Sequence, residues 1–142
     1  MGKPITQAEG EIDKSIHHID YYVTNTKKFL EPDPLELPDR IGRSGQVIRQ
    51  VIGPVVGIVP WNFPFWIPFK SLLPPFILGN PIIMKHSPST PLSALACEDA
   101  FRKAGFDKGD YQNVFATNEQ CAQIIADQRV RAVKFTGSTR GG

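Results

Sequence analysis

The sequence is poor in cysteine, and this excludes several kinds of site. Its 142 residues contain only Cys97 and Cys121, and neither belongs to a CxxC pair or lies at zinc-ligand spacing from a histidine. The cysteines therefore predict no disulfide framework and no metal site. Two lone thiols fit a reducing, cytoplasmic setting, and we interpret both as small core or surface residues.

Charge of one sign and uninterrupted apolar runs are also missing. The 16 basic and 14 acidic residues give a net charge of +2, without a block of like charge or an aromatic-rich basic patch. This balance predicts neither a nucleic-acid nor a membrane partner. The most apolar region, residues 51–84, contains seven prolines. Prolines at this density exclude a transmembrane helix, so we expect the centre of a core there.

The first predicted element is an amphipathic helix over residues 4–29. Four aliphatic residues recur at helical spacing and predict one apolar stripe: Ile12, Ile16, Ile19 and Val23. Acids near the start of this helix and lysines near its end suit the helix dipole. We place His17 and His18 on a solvated helical face rather than in a metal site.

The remaining pattern predicts an α/β fold, with a Rossmann-like parallel sheet and right-handed crossovers. Apolar strands alternate with predicted helices. One helix begins with Pro91 after Ser89-Thr90, and another is capped by Thr117 or Asn118. The final residues after Phe135 have the pattern of a strand that enters a helix, and we expect the chain to be cut inside this element. The predicted strands are 46–52, 55–59, 81–85, 111–116 and 132–136, and the predicted helices between them are 65–78, 91–104 and 118–127.

Asn62 is the first residue of chemical interest. Its amide can donate hydrogen bonds without carrying a charge, and such a donor can stabilise an oxyanion formed from a carbonyl group. Pro60 and Pro64 would fix its direction at the end of a buried strand. Alternatively, Asn62 caps the following helix while Trp61 fills the core, and composition alone favours this alternative.

Lys85 and the Gly137-Ser138 pair follow two other predicted strands. Lys85 lies at the carboxyl edge, where α/β sheets bind ligands, so it could donate to ribose hydroxyls or phosphate oxygens. A lysine that simply leaves the sheet for solvent is an equally good interpretation. Gly137 and Ser138 precede a predicted helix N-terminus, whose backbone NH groups can bind an anion. The sequence has no GxGxxG fingerprint of the ordinary dinucleotide-binding fold.

Taken together, the segments resemble the aldehyde dehydrogenase superfamily. They are GPVVGIVPWNFPFW at 53–66, IIMKHSPSTPLSALACEDAFRKAGF at 82–106 and VKFTGSTRGG at 133–142. They stand in the family's order and spacing, and MGKPITQAEGEIDKS at 1–15 resembles the helix that precedes them. Lys85-His86 and ALACEDAFRKAGF look most like the succinate-semialdehyde dehydrogenase branch.

The resemblance implies roles for residues at three places. Asn62 would be the side-chain donor of the oxyanion hole for a thiohemiacetal, with Trp61 lining the cofactor groove beside it. Lys85 would hold the adenosine ribose, and Gly137 and Ser138 would approach the pyrophosphate.

The residues after Lys85 would border the nucleotide: His86, Ser87 and Pro88. Pro88 stands where the family usually has a glutamate that binds the ribose 2′-hydroxyl. The loss of that carboxylate removes a charge that would repel a 2′-phosphate, so both NAD and NADP remain open as cofactor.

The resemblance also implies that this chain alone is inactive. The family mechanism needs a cysteine nucleophile and a glutamate that activates water, and both lie beyond the FTGS motif in the family. Neither Cys97 nor Cys121 matches the context of that nucleophile. We therefore expect 1–142 to be a partial NAD(P)-binding domain, truncated at both ends, with Met1 an internal methionine of the family's sequence.

Within this domain, residues 37–52 would belong to the family's β extension for oligomer contacts. The intact parent would be a homo-oligomer that oxidises a small-molecule aldehyde to a carboxylic acid. Two alternatives remain, a non-catalytic module that binds nucleotide or docks on a relative, and a gene fragment that does not fold. An unrelated Rossmann dehydrogenase is the least favoured interpretation, because it should carry a glycine-rich loop after its first strand.

Overall fold

The computed structural model describes residues 1–38 and 44–142, which form four helices, a parallel sheet and a separate two-stranded ribbon. The helices are α1 (Ile5–Leu30), α2 (Trp66–Ile77), α3 (Pro91–Lys103) and α4 (Asn118–Ala126). The strands are β1 (Asp33–Leu35), β2 (Gly45–Val47), β3 (Val55–Ile58), β4 (Ile82–Lys85), β5 (Tyr111–Asn113) and β6 (Ala132–Phe135).

The main sheet has the order β5-β4-β3-β6, and all its neighbouring strands are parallel. From β3 the chain moves outward through β4 to β5, and it then returns across α4 to place β6 on the other side of β3. Because such crossovers are right-handed, this reversal puts α4 on the opposite face from α2 and α3. The gap between β3 and β6 is therefore the topological switch point, where open α/β sheets bind ligands.

The core lies between the sheet and the helices α2 and α3. Its most buried members come from β3 and the residue after it, and from α2, β4, α3 and β5: Val55, Val59, Leu72, Ile82, Met84, Cys97 and Tyr111. Gly57 lets α2 approach β3, because a Cβ atom there would lie 2.4 Å from Leu72 Cδ1 and 3.0 Å from Met84 Sδ. The α/β fold with a parallel sheet, predicted from the sequence, is confirmed.

The helix α1 packs on α2, but the sequence did not predict which of its faces does so. Ile16 and Val23 of the predicted apolar stripe are 51% and 74% exposed, whereas Glu11 and Ser15 are buried. The predicted apolar stripe is therefore only partly covered: Ile19 and Val23 border an apolar cavity against α2, whereas the most buried residues of α1 are this acid and this serine. His17 is exposed as predicted, but His18 is half-buried, with its ring centroid 5.1 Å from that of Trp66.

The ribbon of β1 and β2 is antiparallel and pairs Asp33 with Val47. The strand predicted at 46–52 is shorter than expected, since only 45–47 pair, and β1 was not predicted. Pro34 lies within β1. This strand has only one neighbouring strand, and proline, which lacks an NH group, is tolerated in such edge strands. Residues 39–43, part of the predicted β extension, lie outside the described residues.

The other predicted elements are confirmed, with ends that differ by a few residues. The capping box at the start of α4 is present, since Thr117 and Gln120 exchange side-chain and backbone hydrogen bonds. Thr90 takes the cap position of α3 without a side-chain bond to that helix, and its hydroxyl donates to the Ser87 carbonyl instead. None of the described helices is long and apolar enough to cross a membrane.

Candidate functional site at the carboxyl edge of the sheet

The strand register brings the three predicted site segments to one edge. Ile58 pairs with Lys85 on one side and with Phe135 on the other. Beyond these pairs, the Val59 NH donates to the Lys85 carbonyl at 3.1 Å and the Thr136 NH donates to the Ile58 carbonyl at 2.9 Å. The loops that follow β3, β4 and β6 therefore leave the sheet side by side, at the topological switch point.

The loop after β3, which we call the PWNFP loop (residues 60–64), presents its two central side chains to solvent. Trp61 is 54% exposed and Asn62 is also exposed, whereas Pro64 is almost completely buried. The alternative in which Asn62 caps the helix and Trp61 fills the core is therefore wrong. The amide of Asn62 is available at the carboxyl edge of the sheet.

The cap of α2 comes instead from a residue that the sequence did not mark. Glu11 Oε1 accepts hydrogen bonds from the backbone NH groups of Phe65 at 2.7 Å and Trp66 at 2.9 Å. Its other carboxylate oxygen pairs with Lys3. In the sequence, Glu11 looked like one of several acids near a helix start, so no local signal distinguished it.

A groove of about 580 Å³ lies between α1, α2 and β6. Three of its lining residues are lysines, Lys14, Lys70 and Lys134, and none is acidic. Lys14 Nζ stands 4.3 Å from the ring centroid of Trp66. The other lining residues are Phe63, Trp66, Ile67, Ser71, Phe135 and Thr136. This groove could not be predicted from the sequence, because its lysines are 56 and 64 residues apart and come together only through the packing of α1 on α2 and the position of β6 in the sheet.

The segment after β4 combines a half-buried lysine with a buried histidine. Lys85 is half-buried and His86 is 4% exposed, with neither ring nitrogen hydrogen-bonded within the described chain. Burial lowers the pKa of His86 to about 4, so the ring is neutral at pH 7. The Ser87 carbonyl and hydroxyl close a turn with Thr90 and Ser89, and Pro88 is exposed.

The segment after β6 forms a turn at the position of the predicted helix start. The NH groups of Gly141 and Gly142 donate to the Ser138 carbonyl at 2.9 and 3.2 Å. Gly137 and Ser138 are both exposed. A Cβ atom at Gly137 would lie 2.5 Å from Phe135 Cζ, so the backbone passes close over this ring.

A second groove lies at the carboxyl end of β5 and was also missed. It has a volume of about 430 Å³ and is lined by apolar residues, two glutamines and one acid: Val114, Phe115, Ala116, Gln120, Gln123, Ile124 and Asp127. Its residues follow a strand and continue along α4, without a motif that would mark them in the sequence.

The two thiols are both buried in helices. Cys97 lies in α3 at 1% exposure, and burial is the main cause that raises its pKa to about 12. Its Sγ atom lies 3.9 Å from the Pro64 carbonyl. Cys121 is 8% exposed in α4. In the described part of the chain, no group of three or more acidic, histidine or cysteine side chains could hold a metal ion.

Comparisons with known proteins agree with this geometry. The sequence model of the aldehyde dehydrogenase family matches residues 1–142. A succinate-semialdehyde dehydrogenase (NADP(+)) of Deinococcus radiodurans is 35% identical over 100% of this chain and 29% of its own length. A succinate semialdehyde dehydrogenase (NAD(P)+) of Escherichia coli is 33% identical over 100% of this chain and 30% of its own length.

Solved structures show the same likeness. The crystal structure of succinic semialdehyde dehydrogenase from Streptococcus pyogenes, in complex with NADP+, matches 99% of this chain and 30% of that chain. The TM-score is 0.94 and the sequence identity is 38%. The chain thus spans about 30% of the length of the relatives that it matches.

Proposed function

The chain belongs to the aldehyde dehydrogenase family, and from this premise we propose that it supplies the oxyanion donor and part of the nucleotide site for NAD(P)-dependent oxidation of an aldehyde. The observation that carries the proposal is the meeting of Asn62, Lys85 and Gly137 at one sheet edge. They are separated by 23 or more residues along the sequence, and the strand register alone brings their loops together.

Asn62 would donate its side-chain NH to the oxyanion that forms when a nucleophile adds to the aldehyde carbon. The amide does not titrate, so the donor keeps its hydrogen over the whole working pH range. Removal of one such donor typically costs a factor of about 10²–10³ in kcat. The exposed position of Asn62 supports this role, because a capping or core side chain would be engaged elsewhere.

The residues present fit an NAD(P) nucleotide. Lys85 would hold the adenosine ribose, while Trp61, Gly137 and Ser138 would line the path of the pyrophosphate and nicotinamide. None of His86, Ser87 and Pro88 has an acidic side chain, and the imidazole of His86 is neutral at pH 7. This segment would therefore tolerate the 2′-phosphate of NADP. When bound, the nicotinamide ring supplies the hydride acceptor for the oxidation.

The groove beside the PWNFP loop supports an aldehyde with a carboxylate at its far end, such as succinate semialdehyde. Lys70 and Lys134 approach the groove from α2 and β6, and Lys14 does so from α1. Three ammonium groups without a lining acid would attract a carboxylate. The names of the relatives from Deinococcus radiodurans and Escherichia coli support the same substrate.

Nucleotide binding by the 142-residue chain tests this proposal. We expect NADP+ to bind in isothermal titration calorimetry, and Lys85→Ala to weaken binding roughly tenfold, equivalent to about 1.4 kcal/mol. Lys108→Ala is the matched control, since Lys108 is exposed before β5, at the opposite edge of the sheet. Pro88→Glu should weaken binding of NADP+ more than that of NAD+. Equal affinity of the Lys85→Ala variant and the unmodified chain would contradict the assignment of Lys85.

Turnover is not expected from this chain alone. Cys97 is buried and protonated, and Cys121 is buried, so neither thiol can attack an aldehyde. Absorbance at 340 nm should stay constant when the purified chain is mixed with NADP+ and succinate semialdehyde. A steady rise above the rate without protein would overturn this expectation.

The β1–β2 ribbon supports the assignment of residues 37–52 to an oligomer contact. Apolar side chains on and after β2 are half exposed, with Val47 at 46%, Val51 at 58% and Ile52 at 56%. Such exposure on a ribbon favours association with another subunit. We therefore propose a homo-oligomer, and the two free cysteines support a cytoplasmic setting. Light scattering tests this contact. We expect the Val47→Glu variant to have a lower mass in solution than the unmodified chain, and an equal mass for the two would contradict the contact.

A further inference from the structure

Glu11 is the buried acid that links the first helix to the PWNFP loop. Its side chain is only 2% exposed. It reaches across 54 residues of sequence to the backbone NH of Phe65, directly after the loop. A buried carboxylate is costly unless it is paired and hydrogen-bonded, so contacts of this kind must offset that cost.

The helix α2 supplies the donors that make Glu11 fit. The first NH groups of any helix have no acceptor within that helix. In α2 the cap residue Phe65 provides no side-chain acceptor, and the first turn contains no acid. Glu11 therefore satisfies two of these NH groups and places its negative charge at the positive end of the helix dipole.

Lys3 completes the arrangement from the other side. Its ammonium group pairs with Glu11 Oε2 and lies 4.1 Å from the ring centroid of Phe63. The Lys3 side chain is 10% exposed. Phe63 is the neighbour of Asn62, so one lysine touches both the carboxylate and the loop. Trp61 and Asn62 border a small cavity together with the segment that carries Lys3.

From these contacts we propose that Glu11 and Lys3 are positioning residues, which fix the PWNFP loop and so set the direction of the Asn62 amide. The start of α2, directly after the loop, donates hydrogen bonds to Glu11. Within the loop, the ring of Phe63 contacts the ammonium group of Lys3. The value of this for catalysis rests on the proposed role of Asn62. The contact itself can be tested without that role.

Amide hydrogen exchange of the unmodified chain is the first test. The NH groups of Phe65 and Trp66 lie where a helix normally leaves donors to water. We expect their exchange to be at least about tenfold slower than in an unstructured peptide, because Glu11 accepts both. Unprotected exchange at both positions would overturn the proposal without any mutation.

Two variants at Glu11 separate positioning from general stability. Glu11→Gln keeps an acceptor oxygen but loses the charge, whereas Glu11→Ala loses both. Side-chain amide signals of Asn62 and the indole NH signal of Trp61, in ¹⁵N-correlated NMR spectra, report on the loop. We expect these signals to shift or broaden in Glu11→Ala and to be largely restored in Glu11→Gln. Glu9→Ala, on the exposed side of the same helix, is the matched control and should leave them in place.

The outcomes are distinct. If Glu11→Ala only lowers the melting temperature and leaves the Asn62 and Trp61 signals unchanged, Glu11 is a stability contact and the proposal fails. If Glu11→Ala does not fold, the exchange data and Lys3→Met decide, since Lys3→Met should alter the same loop signals. Binding of NADP+ is measured separately, so loss of the proposed function with the loop contact intact would leave this inference standing.

Discussion

β3 and β6 are neighbours in the same parallel sheet, with Ile58 opposite Phe135, yet they differ sharply in their surroundings. The first three residues of β3 are buried, and the loop after it is tied to two helices through Glu11 and Cys97. Three of the four residues of β6 are exposed, and the segment after it is exposed from Gly137 onward. The difference shows that strand pairing alone does not organise the site.

The cause lies in what covers each strand. The helix α2 contacts β3 and β4 and brings Leu72 and the aromatic side chains of its turns onto them. Of the β6 residues, only Ala132 packs against the core cluster. The proposed oxyanion donor, Asn62, therefore stands on the packed side of the switch point, and the proposed pyrophosphate contacts, Gly137 and Ser138, stand on the exposed side. This asymmetry can be tested from both sides.

The largest effect is expected from His86, on the packed side after β4. Burial lowers its pKa from 6.5 to about 4 in the folded chain, so the unfolded chain binds more protons between these values. Stability should be full above pH 6.5 and fall, by at most roughly 3 kcal/mol, as the pH drops to about 4. Urea unfolding at several pH values measures this change. His86→Met should flatten the profile, His17→Gln should not, and an NMR titration of His86 near pH 6.5 would contradict the account.

A matched pair of glycines compares the two strands directly. Gly57→Ala in β3 places a methyl group against Leu72 and Met84, which are 2% and 0% exposed and cannot move aside. We expect it to cost about 2 kcal/mol of unfolding free energy. Gly137→Ala after β6 meets only the ring of Phe135, which is 38% exposed and can rotate, so its cost should stay below about 0.5 kcal/mol. Equal costs in chemical denaturation would remove the contrast between the strands.

The smallest effect is expected at the turn that precedes β6. Arg129 donates to both carboxylate oxygens of Asp127, and these bonds lower the pKa of Asp127 to about 2. The pair is exposed to solvent, so Arg129→Ala should leave the melting temperature unchanged within error. The pKa of Asp127, followed by NMR, should rise toward its ordinary value. A clear loss of stability would show that the β6 side is more tightly organised than its exposure indicates.

Much of this could be predicted from the sequence because the signals are local. Apolar strands that alternate with capped helices predicted most of the order of elements, and the capping residues Thr117 and Gln120 lie only three positions apart in sequence. The motif segments also gave the family, which the match over residues 1–142 confirms. The interpretation of Asn62 remained open, since a cap and an oxyanion donor place the same residue in the same loop.

Other features could not be predicted because they depend on contacts between distant segments. The apolar stripe of α1 has ideal spacing, yet the most buried residues of this helix are Glu11 and Ser15. Both VVGI at β3 and AVKF at β6 were predicted as strands, and the exposure of Val133 and Phe135 in β6 could not be predicted from the sequence. The lysines of the groove belong to three elements, α1, α2 and β6, which only helix packing and the sheet order together bring to one place.

The sequence by itself therefore determined most of the elements, the parallel character of the main sheet and the family, because backbone propensity, capping and motif spacing act over a few residues. The tertiary structure decided which residues of α1 are buried, that the side chain of Asn62 is exposed, and that both thiols are buried. The physical reason is that burial and charge pairing depend on neighbours in space. The carboxylate at residue 11 accepts hydrogen bonds from the NH groups of residues 65 and 66 only because the fold places these groups beside it.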